Sequence, residues 1–191
     1  ILSSVTSIGD SCFSGCSSLT HIDIPSSVTT FGNNAFSRCS SLTQITIPSF
    51  VISIGSSCFS GCSSLTHISI PSSVTTLRNN AFSGCSSLIE VKILSSVTSI
   101  GDSCFSGCSS LIQITIPSSV TTLRNNAFSG CSSLTHISIP SFVTTIGDYI
   151  FSGCSSLTTI TFENNIFIGN IGEYAFNKCK SLKQLFIPSS V

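Results

Sequence analysis

Hydrophobic residues recur along this chain with a fixed period of 23 residues. The clearest marker is a phenylalanine, and the member that follows the regular series, Phe176, comes after a longer interval of 25 residues. The regular members are Phe13, Phe36, Phe59, Phe82, Phe105, Phe128 and Phe151. A period of about 20 to 50 residues is typical of solenoids, in which one small structural unit stacks on its copies. The spacing therefore predicts a repeat protein rather than an ordinary globular domain.

The first half of each repeat has the alternation of a short β-strand. In the second repeat, Ile45 and Ile47 are apolar and their neighbours are polar, so alternate side chains are expected to point to opposite faces. Pro48 ends the strand, because proline has no N–H to donate to a sheet. Val51 and Ile54 then return apolar side chains to the interior. The pattern predicts a strand, a turn and a short return segment.

The second half of each repeat predicts a short helical turn. It opens with a polar residue of the type that caps helices by accepting backbone N–H bonds. The segment that follows this residue is long enough for about one and a half turns, and it places Phe59 and Cys62 three residues apart on one side. The capping residues are Asp10, Asn33, Ser56, Asn79, Asp102, Asn125 and Asp148.

Stacked repeats are expected to lie about 4.8 Å apart, the spacing of paired strands. Equivalent Leu, Ile, Val, Phe and Cys side chains would then form continuous internal columns, and each buried phenylalanine contributes about 1.5–3 kcal/mol. We interpret residues 1–191 as a single array, with seven full repeats between residues 13 and 175 and a partial repeat at each end. Because the sequence starts and stops inside repeats, we expect a fragment, and it contains no visible signal peptide.

The repeat reads L-x-x-I-x-I-P-x-x-V-x-x-I-G-x-x-x-F-x-x-C, which resembles the BspA-like leucine-rich repeats. The resemblance covers the whole chain, and its departures are local: Leu2, Leu94 and Glu163 replace the proline. It implies a right-handed leucine-rich-repeat solenoid with one parallel β-sheet face, short return segments and short helical turns. It also implies adhesion or protein binding, a cell-surface or secreted location, and no catalytic activity.

Charge excludes one class of partner. Charged residues make up 7% of the chain, with seven basic and seven acidic side chains, against about 25% in typical soluble proteins. Nucleic-acid binding needs a basic stripe that displaces counterions, and the sequence has none. No apolar run approaches the roughly 18 residues of a membrane span, so we expect no membrane insertion by this segment.

The eleven cysteines have three interpretations: buried thiols, disulfides between stacked repeats, or a metal site. Cys12 and Cys16 are too far apart in sequence for the usual zinc pairing. Side chains in a stacked column point in parallel, which disfavours disulfides, whereas a free cysteine behaves as a small buried hydrophobe. We favour buried thiols and expect no metal and no cofactor.

Catalytic chemistry finds little support. His21, His67 and His136 occupy the same outward strand position in different repeats, so strand spacing places them about 10 and 15 Å apart, too far for a shared zinc ion. His21 and Asp23 could face the same side, but a triad also needs an oxyanion hole in a pocket. We expect no enzyme activity.

The outward positions of the strands are the candidate ligand-binding strip. They alternate with the buried positions, and eight strands would give a surface nearly 40 Å long. The expected binding residues are His21, Asp23, Gln44, Thr46, His67, Ser69, Glu90, Lys92, Gln113, Thr115, His136 and Ser138, continued by Thr159, Thr161, Gln184 and Phe186. The expected ligand is a protein, such as a host or extracellular-matrix protein; the oligomeric state stays open.

Three alternatives remain at this stage. An edge site could use the turn residues Phe50 and Phe142 together with Phe167, since exposed aromatic residues often mark contacts. For the last repeats we favour a degenerate cap, which terminal repeats commonly form. The array could be a passive structural spacer or stalk. It could also bind ice through the Thr/Ser pairs at Thr29–Thr30, Thr75–Thr76, Thr98–Ser99, Thr121–Thr122 and Thr144–Thr145.

Overall fold

The computed structural model describes residues 1–94, 96–163, 168–185 and 187. Its strands are short and pair only in parallel with equivalent strands of neighbouring repeats. One sheet has the order β12-β10-β8-β6-β4 and is called the strand face below. Its strands are β4 (His67–Ile70), β6 (Glu90–Ile93), β8 (Gln113–Ile114), β10 (His136–Ile139) and β12 (Thr159–Phe162). The predicted repeat solenoid with a parallel sheet face is confirmed.

The return segments also pair, which gives the solenoid a second set of parallel ladders. One has three strands, β1 (Ser7–Ile8), β2 (Thr30–Phe31) and β3 (Ser53–Ile54). The other has β5 (Thr76–Leu77), β7 (Ser99–Ile100), β9 (Thr122–Leu123), β11 (Thr145–Ile146) and β13 (Asn170–Ile171). In each of these two-residue strands the second side chain turns into the core.

The predicted helical turns are wrong: none of the described residues is helical. The segment instead bonds to the next repeat. The N–H of Phe59 donates to the carbonyl of Ala81 at 2.8 Å, and the N–H of Gly61 donates to the carbonyl of Ser83 at 2.7 Å. Ser57, just before this stretch, has a φ of 55°, a left-handed conformation that a right-handed helix does not tolerate.

Six of the seven residues predicted to cap helices accept a backbone N–H from the neighbouring repeat. The Oδ1 atom of Asn79 accepts the backbone N–H of Asp102 at 3.0 Å, and the Oδ1 atom of Asn125 accepts that of Asp148 at 2.9 Å. Equivalent bonds involve Asp10, Asn33, Asp102 and Asp148. These side chains therefore accept backbone N–H bonds, as a helix cap does, but the N–H groups belong to the neighbouring repeat.

The core is a single cluster of stacked columns. Phenylalanine rings of successive repeats stack with centroids 5.3–6.0 Å apart and planes within 9° of parallel, from Phe13 to Phe176. The members from Phe36 to Phe151 are fully buried. At one end Phe31 of the return segment packs edge-on against Phe36 and Phe59 of this column, with centroids 5.5 and 6.1 Å away.

Candidate binding surface

Two rows of outward side chains run across the strand face. In the first row His67 lies opposite Glu90, Glu90 opposite Gln113, and Gln113 opposite His136. In the second row Ser69 lies opposite Lys92. Ile and Val side chains between these positions point inward, so burial alternates along β4 and β6. The structure thus brings the central strip residues onto one surface. All twelve of the expected binding residues are exposed except Ser138, which is half-buried.

The first two repeats continue this surface without forming assigned strands. His21, Asp23, Gln44 and Thr46 are exposed. The Nε2 atom of His21 lies 2.8 Å from the Oδ1 atom of Asp23, so these two side chains do face the same side. Both remain open to solvent, with 55% and 91% of the side chains accessible, which is unlike the enclosed pocket that a catalytic pair requires.

A shallow depression of about 310 Å³ lies on the strand face. Gln44, Thr46, His67, Ser69, Glu90 and Lys92 line it, together with Ile45 and Ile68, which are buried. The polar groups therefore surround an apolar floor. Glu90 and Lys92 supply one charge of each sign at its rim, beside the polar side chains of Gln44, Thr46, His67 and Ser69.

Two exposed isoleucines, which directly precede the strip residues Glu90 and Gln113 in the chain, were missed by the sequence reasoning. Ile89 and Ile112 are 40% and 48% exposed and occupy neighbouring repeats. Threonine holds their position in most other repeats, and Thr43, Thr66 and Thr135 each donate a hydroxyl bond to the carbonyl of the preceding repeat. Isoleucine gives up that bond and leaves apolar surface in water. The signal was available in the sequence as a break in the threonine series.

The structure describes two of the three residues of the candidate edge site. Phe50 and Phe142 are 66% and 65% exposed and stand four repeats apart, so they do not form one patch. Serine occupies this position in other repeats and donates to a valine carbonyl of the preceding repeat, as Ser96 does to Val74 at 3.0 Å. Each phenylalanine forgoes that bond. Phe167 lies outside the described residues, as do Phe186 and the other masked positions.

A second surface, beside the return-segment ladders, carries three further depressions of about 370–420 Å³. Arg78 and Arg124 border them, and Thr76 and Thr122 are among the residues that line them. The Thr/Ser pairs considered for ice binding run along this side. Some of their hydroxyls are occupied: Thr98 Oγ1 donates to the carbonyl of Thr75 at 3.2 Å.

The cysteine column is buried and internally bonded. Eight cysteines are buried, Cys179 is half-buried, and Cys12 and Cys16 are exposed. Each column thiol from Cys39 to Cys179 donates to the carbonyl of the phenylalanine one repeat earlier, at 3.1–3.2 Å. Burial raises the pKa of the Cys39 thiol to about 11 and that of Cys154 to about 12. Such thiols are poor nucleophiles and poor metal ligands, because both roles need the thiolate.

Metal ligation and membrane crossing find no support in the described part of the chain. No three His, Cys, Asp or Glu side chains there are grouped so that they could hold a metal ion. Within the same residues, no helix has the length and apolar character needed to cross a bilayer.

Parallel ladders stacked at one period, with an exposed strand face, define a leucine-rich-repeat solenoid. The chain belongs to the BspA type leucine-rich repeat family, whose sequence profile matches six copies over residues 1–112 and 75–191. The family is a repeat scaffold that is generally non-catalytic, and its members are typically surface or protein-interaction modules. No curated protein matches the chain.

Solved structures of bacterial leucine-rich repeat proteins are similar to this one. A T. pallidum leucine-rich repeat protein is 31% identical with a TM-score of 0.75, and the match covers 86% of this chain and 75% of that one. A leucine-rich cell surface protein from Faecalibacterium prausnitzii is 33% identical with a TM-score of 0.63, over 96% and 57%. A Bacteroides ovatus protein is 31% identical with a TM-score of 0.63, over 95% and 58%. The chain thus spans little more than half the length of the last two.

Proposed function

We propose that this chain is a non-enzymatic protein-binding module that holds its ligand on the strand face, within an adhesion protein at the cell surface. The observation that carries the proposal is the depression lined by Gln44 to Lys92, together with the exposed Ile89 and Ile112 that precede Glu90 and Gln113 in the chain. The location draws support from the Faecalibacterium prausnitzii relative, which is described as a cell surface protein.

The strand face has the composition of an energetically useful interface. Binding energy concentrates in a few apolar or aromatic contacts that a polar rim shields from water. Ile89 and Ile112 can supply the apolar contact, and His67, Glu90 and Lys92 can supply the rim. Eight successive strand segments extend nearly 40 Å at strand spacing, which accommodates the roughly 800 Å² per partner of a standard interface.

A panel of purified extracellular-matrix proteins tests the proposal. The chain is immobilised, and binding of each panel protein is measured for the wild type and for the double variant Ile89→Thr/Ile112→Thr. Threonine is native to this position in neighbouring repeats, so the fold should be retained while binding falls by about tenfold or more, the usual range for a hot spot. A double variant that binds as well as the wild type contradicts the strand-face assignment.

The matched control is Phe50→Ser/Phe142→Ser, which removes exposed apolar surface at a different place and also restores the native residue of its position. It should leave binding unchanged if the ligand contacts the strand face. Failure of every panel protein to bind would instead favour the passive spacer. Measurable thermal hysteresis, abolished by changes along Thr75–Thr76 and Thr121–Thr122, would favour ice binding.

A further inference from the structure

Tyr149 and Tyr174, the only tyrosines of the chain, stack on each other at the solvent surface. Their ring centroids are 4.9 Å apart and their planes diverge by 16°. The two side chains are 38% and 59% exposed. They come from neighbouring repeats, and they are the only exposed aromatic pair stacked in this way among the described residues.

The backbone holds this pair in place. Both residues have a φ of 54°, a left-handed conformation that bulky side chains rarely adopt. Asparagine or serine fills the position in the other repeats, at Ser11, Asn34, Ser57, Asn80, Ser103 and Asn126. The N–H of Tyr149 donates to the carbonyl of Glu173 at 2.8 Å, which keeps the two repeats, and therefore the two rings, side by side. Folding alone would be served by the smaller residues.

We propose that Tyr149 and Tyr174 form an oxidative cross-linking site, at which a haem peroxidase and hydrogen peroxide join the two rings into an intramolecular dityrosine. The enzyme takes one electron and one proton from each phenol, which leaves two tyrosyl radicals. A carbon–carbon bond forms between the ring positions ortho to the oxygens, and each of these carbons passes its hydrogen to its phenolic oxygen as the ring becomes aromatic again. One hydrogen peroxide is reduced to two waters, so the protein loses two hydrogen atoms in total.

Proximity makes the intramolecular product dominant. Two groups held side by side have a local concentration on the order of millimolar or higher, far above that of a dilute protein partner. Both side chains are exposed, so they can rotate on the picosecond to nanosecond timescale and bring the ortho carbons together. The buried thiols compete poorly, because burial raises the pKa of groups such as Cys131 well above the ordinary thiol value. The exposed Cys12 and Cys16 are the competitors that need removal.

The cross-link would join two repeats across the one longer interval in the phenylalanine series, that between Phe151 and Phe176. A covalent closure restricts the unfolded chain, as a disulfide does. In a solenoid, where each repeat contacts only its neighbours, this would couple the last repeat to the array. We expect the cross-linked chain to resist proteolysis near Tyr174 better than the untreated chain.

The experiment uses the whole chain carrying Cys12→Ala and Cys16→Ser, treated with peroxidase and limiting hydrogen peroxide. The expected result is a monomer on denaturing gels that has lost the mass of two hydrogen atoms, shows the blue fluorescence of dityrosine and gives one linked peptide pair containing both tyrosines. Tyr149→Phe and Tyr174→Phe keep the stacked rings and remove one phenol each, so either change should abolish the monomeric product.

Tyr174→Asn is the folding control, because asparagine is native to this position in other repeats; it should fold normally and give no product. The proposal is overturned if the treated parent chain keeps its mass, if dityrosine appears only in covalent dimers, or if Tyr149→Phe still yields the linked monomer.

Discussion

The thiol of Cys85 donates a hydrogen bond to the carbonyl oxygen of Phe59 in the preceding repeat, with Sγ and O 3.1 Å apart. The same carbonyl also accepts the backbone N–H of Cys62 at 3.1 Å. Cysteine in this column is therefore both a small apolar filler and a donor that links successive repeats. A buried S–H with a partner avoids the penalty of an unsatisfied polar group.

The phenylalanine column predicts a large effect at its centre. Phe82 is fully buried and stacks between Phe59 and Phe105, with centroids 5.5 and 5.4 Å away. Phe82→Ala should lower the free energy of unfolding by about 3–5 kcal/mol, and it should split the array into separately melting halves because coupling passes only between neighbours. Urea unfolding followed by circular dichroism measures both effects.

Ser86→Ala, which removes only a 3.4 Å hydroxyl contact, is the control and should stay within about 0.5 kcal/mol of the wild type. An unchanged midpoint for Phe82→Ala would contradict the column.

Thiol accessibility should divide the cysteines into two groups. A maleimide reagent should label Cys12 and Cys16 within minutes, because both are exposed, and label all eleven cysteines only after denaturation. Reducing agent should leave the melting temperature nearly unchanged. A large fall in melting temperature on reduction would show that disulfides link the repeats.

Alkaline pH should destabilise the solenoid. Burial raises the pKa of the Cys104 thiol well above its usual range, whereas a thiol in the unfolded chain ionises at about pH 8.5. Above that pH the unfolded state binds fewer protons than the folded state, so the free energy of unfolding falls by about 1.4 kcal/mol per pH unit for each such thiol. For Cys154 the loss continues to about pH 12; below about pH 8.5 the thiols have no effect on the slope.

Cys104→Ala is the matched variant for this test, because Ala81 and Ala127 fill the same position in adjacent repeats. Between about pH 8 and pH 10 the urea midpoint should fall less steeply with pH in this variant than in the wild type. The difference corresponds to the contribution of one thiol to the pH dependence of the free energy of unfolding. Equal slopes for the two proteins would mean that Cys104 ionises normally in the folded state.

One glycine position depends on a left-handed backbone. Gly84 has a φ of 73°, and a Cβ atom there would meet backbone atoms of Gly61 only at 3.7 Å, an ordinary contact. Gly84→Ala should therefore reduce stability through the backbone angle alone, by about 1–2 kcal/mol. Arg38 occupies the same position with a φ of 59°, so Arg38→Gly should raise stability slightly, by about 0.5–1 kcal/mol after the entropy of glycine is counted. If Gly84→Ala has the same urea midpoint as the wild type, the left-handed backbone angle does not require glycine at this position.

The charges of the strand face should matter for binding and not for folding. Glu90 and Lys92 are exposed on β6, and exposed charges of this kind contribute about 0–1 kcal/mol to stability. The exchange Glu90→Lys/Lys92→Glu keeps the net charge, so the melting temperature should hold while affinity for a strand-face ligand falls or changes its salt dependence. If the exchange has no effect and Phe50→Ser/Phe142→Ser abolishes binding, the ligand occupies the turn edge instead.

The sequence by itself determined the period, the buried columns and the outward strip. Residues repeated every 23 positions must bury the same face in every copy, so Phe59 and Phe82 are bound to meet whatever the details of the turns. Alternation around Ile68 likewise left His67 and Ser69 outside, because strand geometry sends adjacent side chains to opposite faces.

Only the tertiary structure decided the rest, because it depends on backbone angles and on contacts between residues one repeat apart. The left-handed angle at Ser57 turned an expected helical segment into a ladder of inter-repeat bonds. The same stacking converted the predicted helix cap Asn79 into an acceptor for Asp102 and brought Tyr149 onto Tyr174. A local pattern specifies which side chains are polar or apolar, but their partners are chosen by the neighbouring repeat.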